Sequence, residues 1–467
     1  MEHVPRELDP PRPSVTDDAP EGYDNLDELA LTPISLQERQ SGHRRSITSN
    51  PAESELLDED IEAGVAGIDE LAAPPPDENP REDRLGYHQS LEEERDIERR
   101  QSAKERPEER LPLREKLIVE LYTTSWLIFF SLLGTLARLG VEWLGAYPNA
   151  PVTTKVIWAN LGGSFVLGFL QEDRALFAEQ RGPNLSSQSE PEKGHDKIQA
   201  EHLAVKKTLP LYIGLSVGFC GSFTSFSSFM RDAFLTLAND SAGKDNVVVP
   251  RSAGWSVCAV LAVVIIEVAV SLSALATGAH FAIALLPILS KLPKLNSAWY
   301  LNPLAVLFGY GSWLCVVFLA IWPPQNRWRG EVVFTIVFAP LGTLLRFFLS
   351  IKMNRLIASF PLGTFSSNIF GAAIIGLAYG LQHTSLQPAG REVGGGILGC
   401  QILEGIMEGF CGCLTTVSTW VAELRSLRKR HAYIYGVASI GVGLSLVIVI
   451  CGSMTWTLGL SSPACHV

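Results

Sequence analysis

Residues 218–230 read GFCGSFTSFSSFM, and residues 409–421 read GFCGCLTTVSTWV. Each strip sets glycines, hydroxyls and bulky side chains inside an otherwise apolar run. Gly, Ser and Thr at this density weaken a helix at its centre. A break at membrane depth releases backbone carbonyls, and those oxygens can hold a cation. The competing account is close helix packing through small residues. The strip occurs twice, each time with hydroxyls beside the glycines, and this recurrence favours a site. Phe226 and Phe229 lie three apart and share a helix face. An aromatic ring has a positive edge that can meet a small anion, although the spacing alone favours plain packing. The hydroxyls of Ser225, Ser227 and Ser228 and the amide of Asn160 would supply hydrogen-bond donors. No base, nucleophile or metal-ligand cluster accompanies them, so the lining suits an ion that passes without reacting.

A helix crosses the hydrocarbon with about 20 mostly apolar residues. Nine stretches qualify: 117–141, 154–170, 209–237, 254–286, 299–322, 331–351, 361–381, 395–424 and 432–460. Ahead of them, residues 1–110 carry 30 acidic and 13 basic side chains, whereas the remainder of the chain is net +6. That Pro-, Glu- and Ser-rich arm cannot bury enough apolar surface to order itself. Its "HRRSITS" is either a phosphorylation site or an incidental serine. With the arm placed in the cytoplasm, fourteen Lys and Arg of the loops fall inside and six outside, which sets the orientation. Asn239 of "NDS" then lies outside as a glycosylation candidate, and "NLS" at 184–186 lies inside. No secretory signal follows Met1. The eight cysteines lack zinc spacing and read as small packing residues.

The chain also repeats itself. "GTLARL" (134–139) matches "GTLLRF" (342–347), and Asn160 and Gly168 match Asn368 and Gly376, all at an offset of 208; the strips match at 191. The longer charged loop 171–207 accounts for the difference. Glycine, arginine, asparagine and strip recur in one order, which marks a duplication. Each copy has four spans, and the extra span 301–323 between them turns the second copy over. Inverted repeats place a site near the bilayer midplane, at the junction of the copies. The expected fold is thus an all-α integral membrane protein of nine transmembrane helices: two inverted four-helix repeats joined by a linking transmembrane helix, each with a broken third helix. The expected parts are a disordered acidic tail (1–112), a first repeat (113–290), a linking segment (291–328) and a second repeat (329–467).

Gly-x-x-x-Arg, then an asparagine in a glycine-rich span, then GFxG-x-x-T-[ST]-F-S-[ST]-F, resembles the CrcB/Fluc family of fluoride channels. The fused form with a linking helix resembles the eukaryotic fluoride exporters, over residues 115 to 460. The resemblance implies a fluoride-selective export channel, not an enzyme, with anion pathways at the junction and a central sodium ion. Carried over by motif, the carbonyls of Gly221, Thr224, Gly412 and Thr415 would hold the sodium. Asn160 and Asn368 would line the pathways, with Phe226, Phe229, the first-strip serines, the second-strip hydroxyls Thr416, Ser418 and Thr419, and Ser439 of the fourth span. The first-repeat counterpart of Ser439 is either Ser256 or Ser271. Arg138 and Arg346 would lend positive potential at a vestibule, and Asp232 and Glu423 take the acidic position past the strip.

One departure stands out. The second repeat has Val417 and Trp420 where the first has Phe226 and Phe229. The expectation is one working pathway carried by the phenylalanine pair and one vestigial pathway. Glu267 lies deep in the fourth span without a partner in the second repeat. It is either a buried structural acid or the proton carrier of the alternative function, a proton- or cation-coupled small-anion transporter. The expected setting is a self-sufficient monomer in the plasma membrane, tail cytoplasmic and C-terminus extracellular.

Overall fold

The computed structural model describes residues 113–147, 152, 154–177, 206–239, 251–292, 301–322, 329–383, 385–386, 391–392 and 396–459. The chain divides into two units, Met1–Asp77 and Glu78–Val467, and all of these residues belong to the second. The acidic tail with its phosphorylation candidate, the NLS sequon at 184–186 and the C-terminal residues beyond 459 lie outside the described residues.

The first repeat consists of α1 (Leu113–Leu144), α2 (Val156–Glu172), a broken third span and α5 (Ala253–Leu289). The third span begins as α3 (Pro210–Ile213), widens into π-helical turns over Gly214–Cys220, and ends in a helical turn at Gly221–Phe223. It resumes as α4 (Phe226–Ala238). α6 (Leu301–Ile321) links the halves. The second repeat has α7 (Thr335–Met353, entered through Arg329–Phe334) and α8 (Leu362–His383), followed by α9 (Gly396–Glu404). α9 runs on through π-helical turns at Gly405–Cys411 to Gly412–Leu414, and the chain continues as α10 (Ser418–Ser426) and α11 (Lys429–Leu458). A two-residue antiparallel pair, β1 (Ser385–Leu386) with β2 (Arg391–Glu392), is a small addition to the expected all-helical fold.

Eight of the nine spans are long and apolar enough to cross a membrane. The ninth, α2, has 17 residues, or about 26 Å at 1.5 Å per residue, just short of the hydrocarbon thickness. Burial is inverted relative to a water-soluble domain. Arg138, Arg346, Asn160, Asn368 and the strip hydroxyls other than Thr419 are buried, whereas Leu133, Ile265, Phe308, Val437 and Val449 face outward. Lipid covers such apolar faces without cost, and buried polar groups must find partners inside the bundle.

Two devices set the spacing of the helices. The first is backbone contact through glycine between α2 and α5, where a Cβ at Gly168 would overlap the Leu275 carbonyl and one at Gly278 the Phe165 carbonyl. Small residues facing in both directions let the two backbones approach. The second is α6, which bonds to the first helix of each repeat. Asn302 Oδ1 accepts from Trp126 Nε1 of α1 at 3.1 Å, and Trp313 Nε1 donates to the Val337 carbonyl of α7 at 2.9 Å. The linking helix is therefore a clasp as well as a spacer. Outside the spans, Lys206 donates to the last carbonyls of α2, to Leu170 at 2.9 Å and Gln171 at 3.1 Å; burial pushes its pKa down to about 8.

Gly278→Ala should lower the thermal midpoint of the purified protein in detergent. Gly441→Ala, where nothing lies within 4 Å of the new methyl, should leave it unchanged or raise it slightly through helix propensity.

Candidate functional site

Both third spans break at the same place and for the same reason. Thr224 (φ −92, ψ 152) and Ser225 (φ −143, ψ 115) are extended, as is Thr415 (φ −99, ψ 155). In a continuous helix the amides of residues 225, 227 and 228 would bond to the carbonyls of Gly221, Phe223 and Thr224. Here side chains take them instead. Ser225 N donates to Asn160 Oδ1 at 2.9 Å, Ser227 N to Thr415 Oγ1 at 3.0 Å and Ser228 N to Ser225 Oγ at 3.1 Å. The second repeat does the same. Thr416 N donates to Asn368 Oδ1 at 2.9 Å, Ser418 N to Thr224 Oγ1 at 3.1 Å and Thr419 N to Thr416 Oγ1 at 3.4 Å. The carbonyls of Gly221, Thr224, Gly412 and Thr415 are thereby released from their helical donors. These are the four expected at a cation site.

The contacts between the halves are reciprocal, as two-fold-related units require. Ser227 Oγ donates to the Cys411 carbonyl and Ser418 Oγ to the Cys220 carbonyl, each at 3.2 Å. Ser222 meets Thr343 at 2.8 Å, and Thr135 meets Cys413 at 3.0 Å. Arg346 Nη2 donates to the Val217 carbonyl at 2.9 Å, and Arg138 donates to the carbonyl of Glu408, the equivalent position.

The arginines correct one expectation. Neither faces an open vestibule, since Arg138 is 0% and Arg346 2% exposed. Their guanidiniums lie against the broken backbone, where a Cβ at Gly221 would run into Arg346 and one at Gly412 into Arg138. Glycine at both positions makes room for a planar cation. The released carbonyls fit a hard monovalent cation by their chemistry, being neutral oxygens. Among the described residues no group of three or more His, Cys, Asp or Glu could hold a metal.

The strip hydroxyls serve mainly to stabilise the break. Ser225, Ser227, Thr416 and Ser418 all bond within and across the strips. Ser228 and Thr419 keep a hydroxyl proton uncommitted among the described residues. Ser439 donates to the Tyr435 carbonyl at 2.7 Å. Gly168 packs on Leu275, and its equivalent Gly376 on Ile450 and Cys451. This register aligns Ser439 with Val263 and Val264, so neither Ser256 nor Ser271 is its counterpart. It also aligns Glu267 with Val442 and Gly443.

The halves differ where an anion would pass. Phe226 stands edge-on to Trp420 of the other half, centroids 5.5 Å apart, as well as to Phe229 at 5.9 Å. The aromatic lining therefore crosses the junction and does not belong to the first repeat alone. A Cβ on Gly443 of α11 would lie 3.1 Å from the Phe226 ring. On this side Asn368 Nδ2 donates to the Thr416 carbonyl at 3.2 Å, which leaves its second amide hydrogen uncommitted. On the other side Asn160 Nδ2 donates both to the Ser225 carbonyl and to Glu267 Oε1, and no hydrogen remains. Glu423, past the second strip, accepts from Thr364 and Tyr435 at 2.7 Å each. Arg231 pairs with Asp232 at 3.4 Å and reaches Glu408 of the other half at 2.5 Å. Sequence reasoning did not single out Arg231 and Glu408; a charge next to each strip was the available signal.

Thr224→Val removes the acceptor of two amides of the other half, those of Val417 and Ser418, whereas Thr415→Val removes that of Ser227 alone. Each orphaned buried amide costs about 1–3 kcal/mol. Denaturant unfolding in micelles should rank Thr224→Val below Thr415→Val, and both below the parent protein.

Comparison with known proteins agrees with this arrangement. Residues 125–279 and 333–453 match the family model described as CrcB-like protein, Camphor Resistance (CrcB). The chain is 48% identical over 376 residues to Fluoride export protein 1 of Neurospora crassa, covering 75% of this chain and 70% of that one. It is 31% identical over 329 residues to Fluoride export protein 1 of Candida albicans, covering 70% and 78%. A stretch of 127 residues, 26% of this chain, is 39% identical to the Fluoride-specific ion channel FluC of Pseudomonas aeruginosa and covers 91% of it. No solved structure matches the chain.

Proposed function

The chain belongs to the CrcB-like family, and on that premise we propose that it is a fluoride-selective export channel. It is a multi-pass membrane protein that carries fluoride out of the cytoplasm and performs no chemistry on it. The observation that carries the reading beyond family membership is the aromatic pair Phe226–Trp420 across the junction, together with an asparagine, Asn368, that keeps an amide hydrogen uncommitted. Stripping water from a small anion is costly unless donors replace the lost bonds. Asn368 offers one, the ring edge of Phe226 offers partial positive charge, and the buried guanidiniums of Arg138 and Arg346 raise the potential at the junction. An inside-negative membrane supplies the drive, about 2.3 kcal/mol per charge per 100 mV.

One pathway conducts, the one walled by Asn368, Phe226, Trp420 and Ser439. The other has Val417 in place of a phenylalanine, and Glu267 takes the amide hydrogen that Asn160 would offer an anion. Sodium at the carbonyls of Gly221, Thr224, Gly412 and Thr415 would fix the two breaks against each other and add positive charge. The two repeats lie antiparallel in one self-sufficient monomer, in the plasma membrane, with the N-terminal arm cytoplasmic and the C-terminus outside. A proton-coupled transporter is not favoured, because its candidate proton carrier, Glu267, is enclosed and bonded to Asn160.

Liposomes loaded with potassium fluoride and triggered by valinomycin test the function. Fluoride should leave rapidly without a proton gradient while chloride is retained; efflux that required an imposed proton gradient would contradict the reading. In the same assay Phe226→Ile should abolish efflux, and Val417→Ala should leave it near the parent rate.

A further inference from the structure

We propose that the indole N–H of Trp420 is a fluoride-binding donor in the conducting pathway, an inference that rests on the channel reading above. Trp420 is 1% exposed, and its Nε1 has no hydrogen-bond partner among the described residues. A buried indole N–H ordinarily finds an acceptor. This chain obeys that rule where a tryptophan is structural, since Trp126 is bonded to Asn302 and Trp313 to the Val337 carbonyl. The bond left unmade at Trp420 is a cost that an arriving acceptor recovers.

The position of the ring identifies that acceptor. Trp420 occupies the place in the second strip that Phe229 holds in the first, 191 residues away, and it stands edge-on to Phe226 across the junction. Its surroundings are apolar. Phe226, Met230 and Val421 are fully buried in the same cluster, and Phe226 and Met230 close on Gly443. Dehydrating a small anion of high charge density is costly, so in so apolar a wall each hydrogen-bond donor that replaces a lost water counts, and the indole N–H adds one. Replacing a phenylalanine by tryptophan thus exchanges a weakly positive ring edge for a full N–H donor. The tryptophan marks the working pathway, where composition alone suggests a degenerate one.

Trp420→Phe tests the inference, because it keeps a ring and restores the residue of the other strip. Fluoride efflux from proteoliposomes should fall about tenfold or more, the loss of one bond of this kind. A second readout needs no transport. In full-length protein labelled with ¹⁵N-tryptophan in micelles, one indole N–H resonance is missing from the Trp420→Phe spectrum. That resonance should shift on titration with sodium fluoride and stay fixed with sodium chloride. Unchanged efflux in Trp420→Phe, or an indole resonance indifferent to fluoride, would overturn the inference even though the parent conducts. If Trp420→Phe fails to fold, the same titration on Phe226→Ile decides, with a fluoride-dependent indole shift expected to weaken. A parent protein that moves no fluoride would instead overturn the channel reading, and this inference with it.

Discussion

The structure depends on an exchange of hydroxyls between two broken helices. Thr224 caps the amides that open α10, and Thr415 caps one that opens α4. Neither break can exist alone, since each would leave unsatisfied amides at membrane depth, where water cannot replace the lost bonds. The exchange holds the two repeats together at their midpoints. The carbonyls of Gly221, Thr224, Gly412 and Thr415 leave their ladders because Asn160, Asn368 and the strips' own Ser225 and Thr416 take their donors. Asn160 and Asn368 complete it from the second helices, and α6 holds the first helices from outside.

Fusing two copies into one chain frees them to diverge, and the divergence has a consistent sense. Glu267 bonds to Asn160 with no acidic counterpart in the second repeat, and Val417 stands where the first strip has Phe226. The Asn368 side keeps Phe226 and an uncommitted amide hydrogen. An ion pair, Arg231 with Glu408, spans the junction at 2.5 Å. The equivalent positions are Ala422 and Val217, so this bond too exists once. A two-fold scaffold thus carries a one-sided polar lining.

Much of this was legible in the sequence because the duplication supplies its own comparison. The strips, the two asparagines and the glycine–arginine pairs recur at fixed offsets, and all of them meet at the junction. The broken third spans follow from glycine and hydroxyl density. What escaped was whatever depends on which half a side chain reaches. Phe226 and Phe229 share a helix face, so the sequence pairs them, but the inverted packing also sets Phe226 against Trp420. The family resemblance puts Arg138 and Arg346 at a vestibule; in their buried places they donate instead to backbone carbonyls of the broken spans, Arg138 to Glu408 and Arg346 to Val217 and Cys413. Glu267 was conspicuous as an intramembrane acid, yet its partner lies 107 residues away on α2.

The central claim is that one of the two asparagine-lined pathways conducts. Single-channel recording in planar bilayers with fluoride as the only permeant anion tests it directly, comparing Asn160→Asp with Asn368→Asp, which keep the oxygens that accept from Ser225 and Thr416 but remove the amide donors. A parental unitary current is expected for Asn160→Asp and loss of openings for Asn368→Asp. A current halved by each substitution would contradict it, because two equivalent pathways would then share the flux.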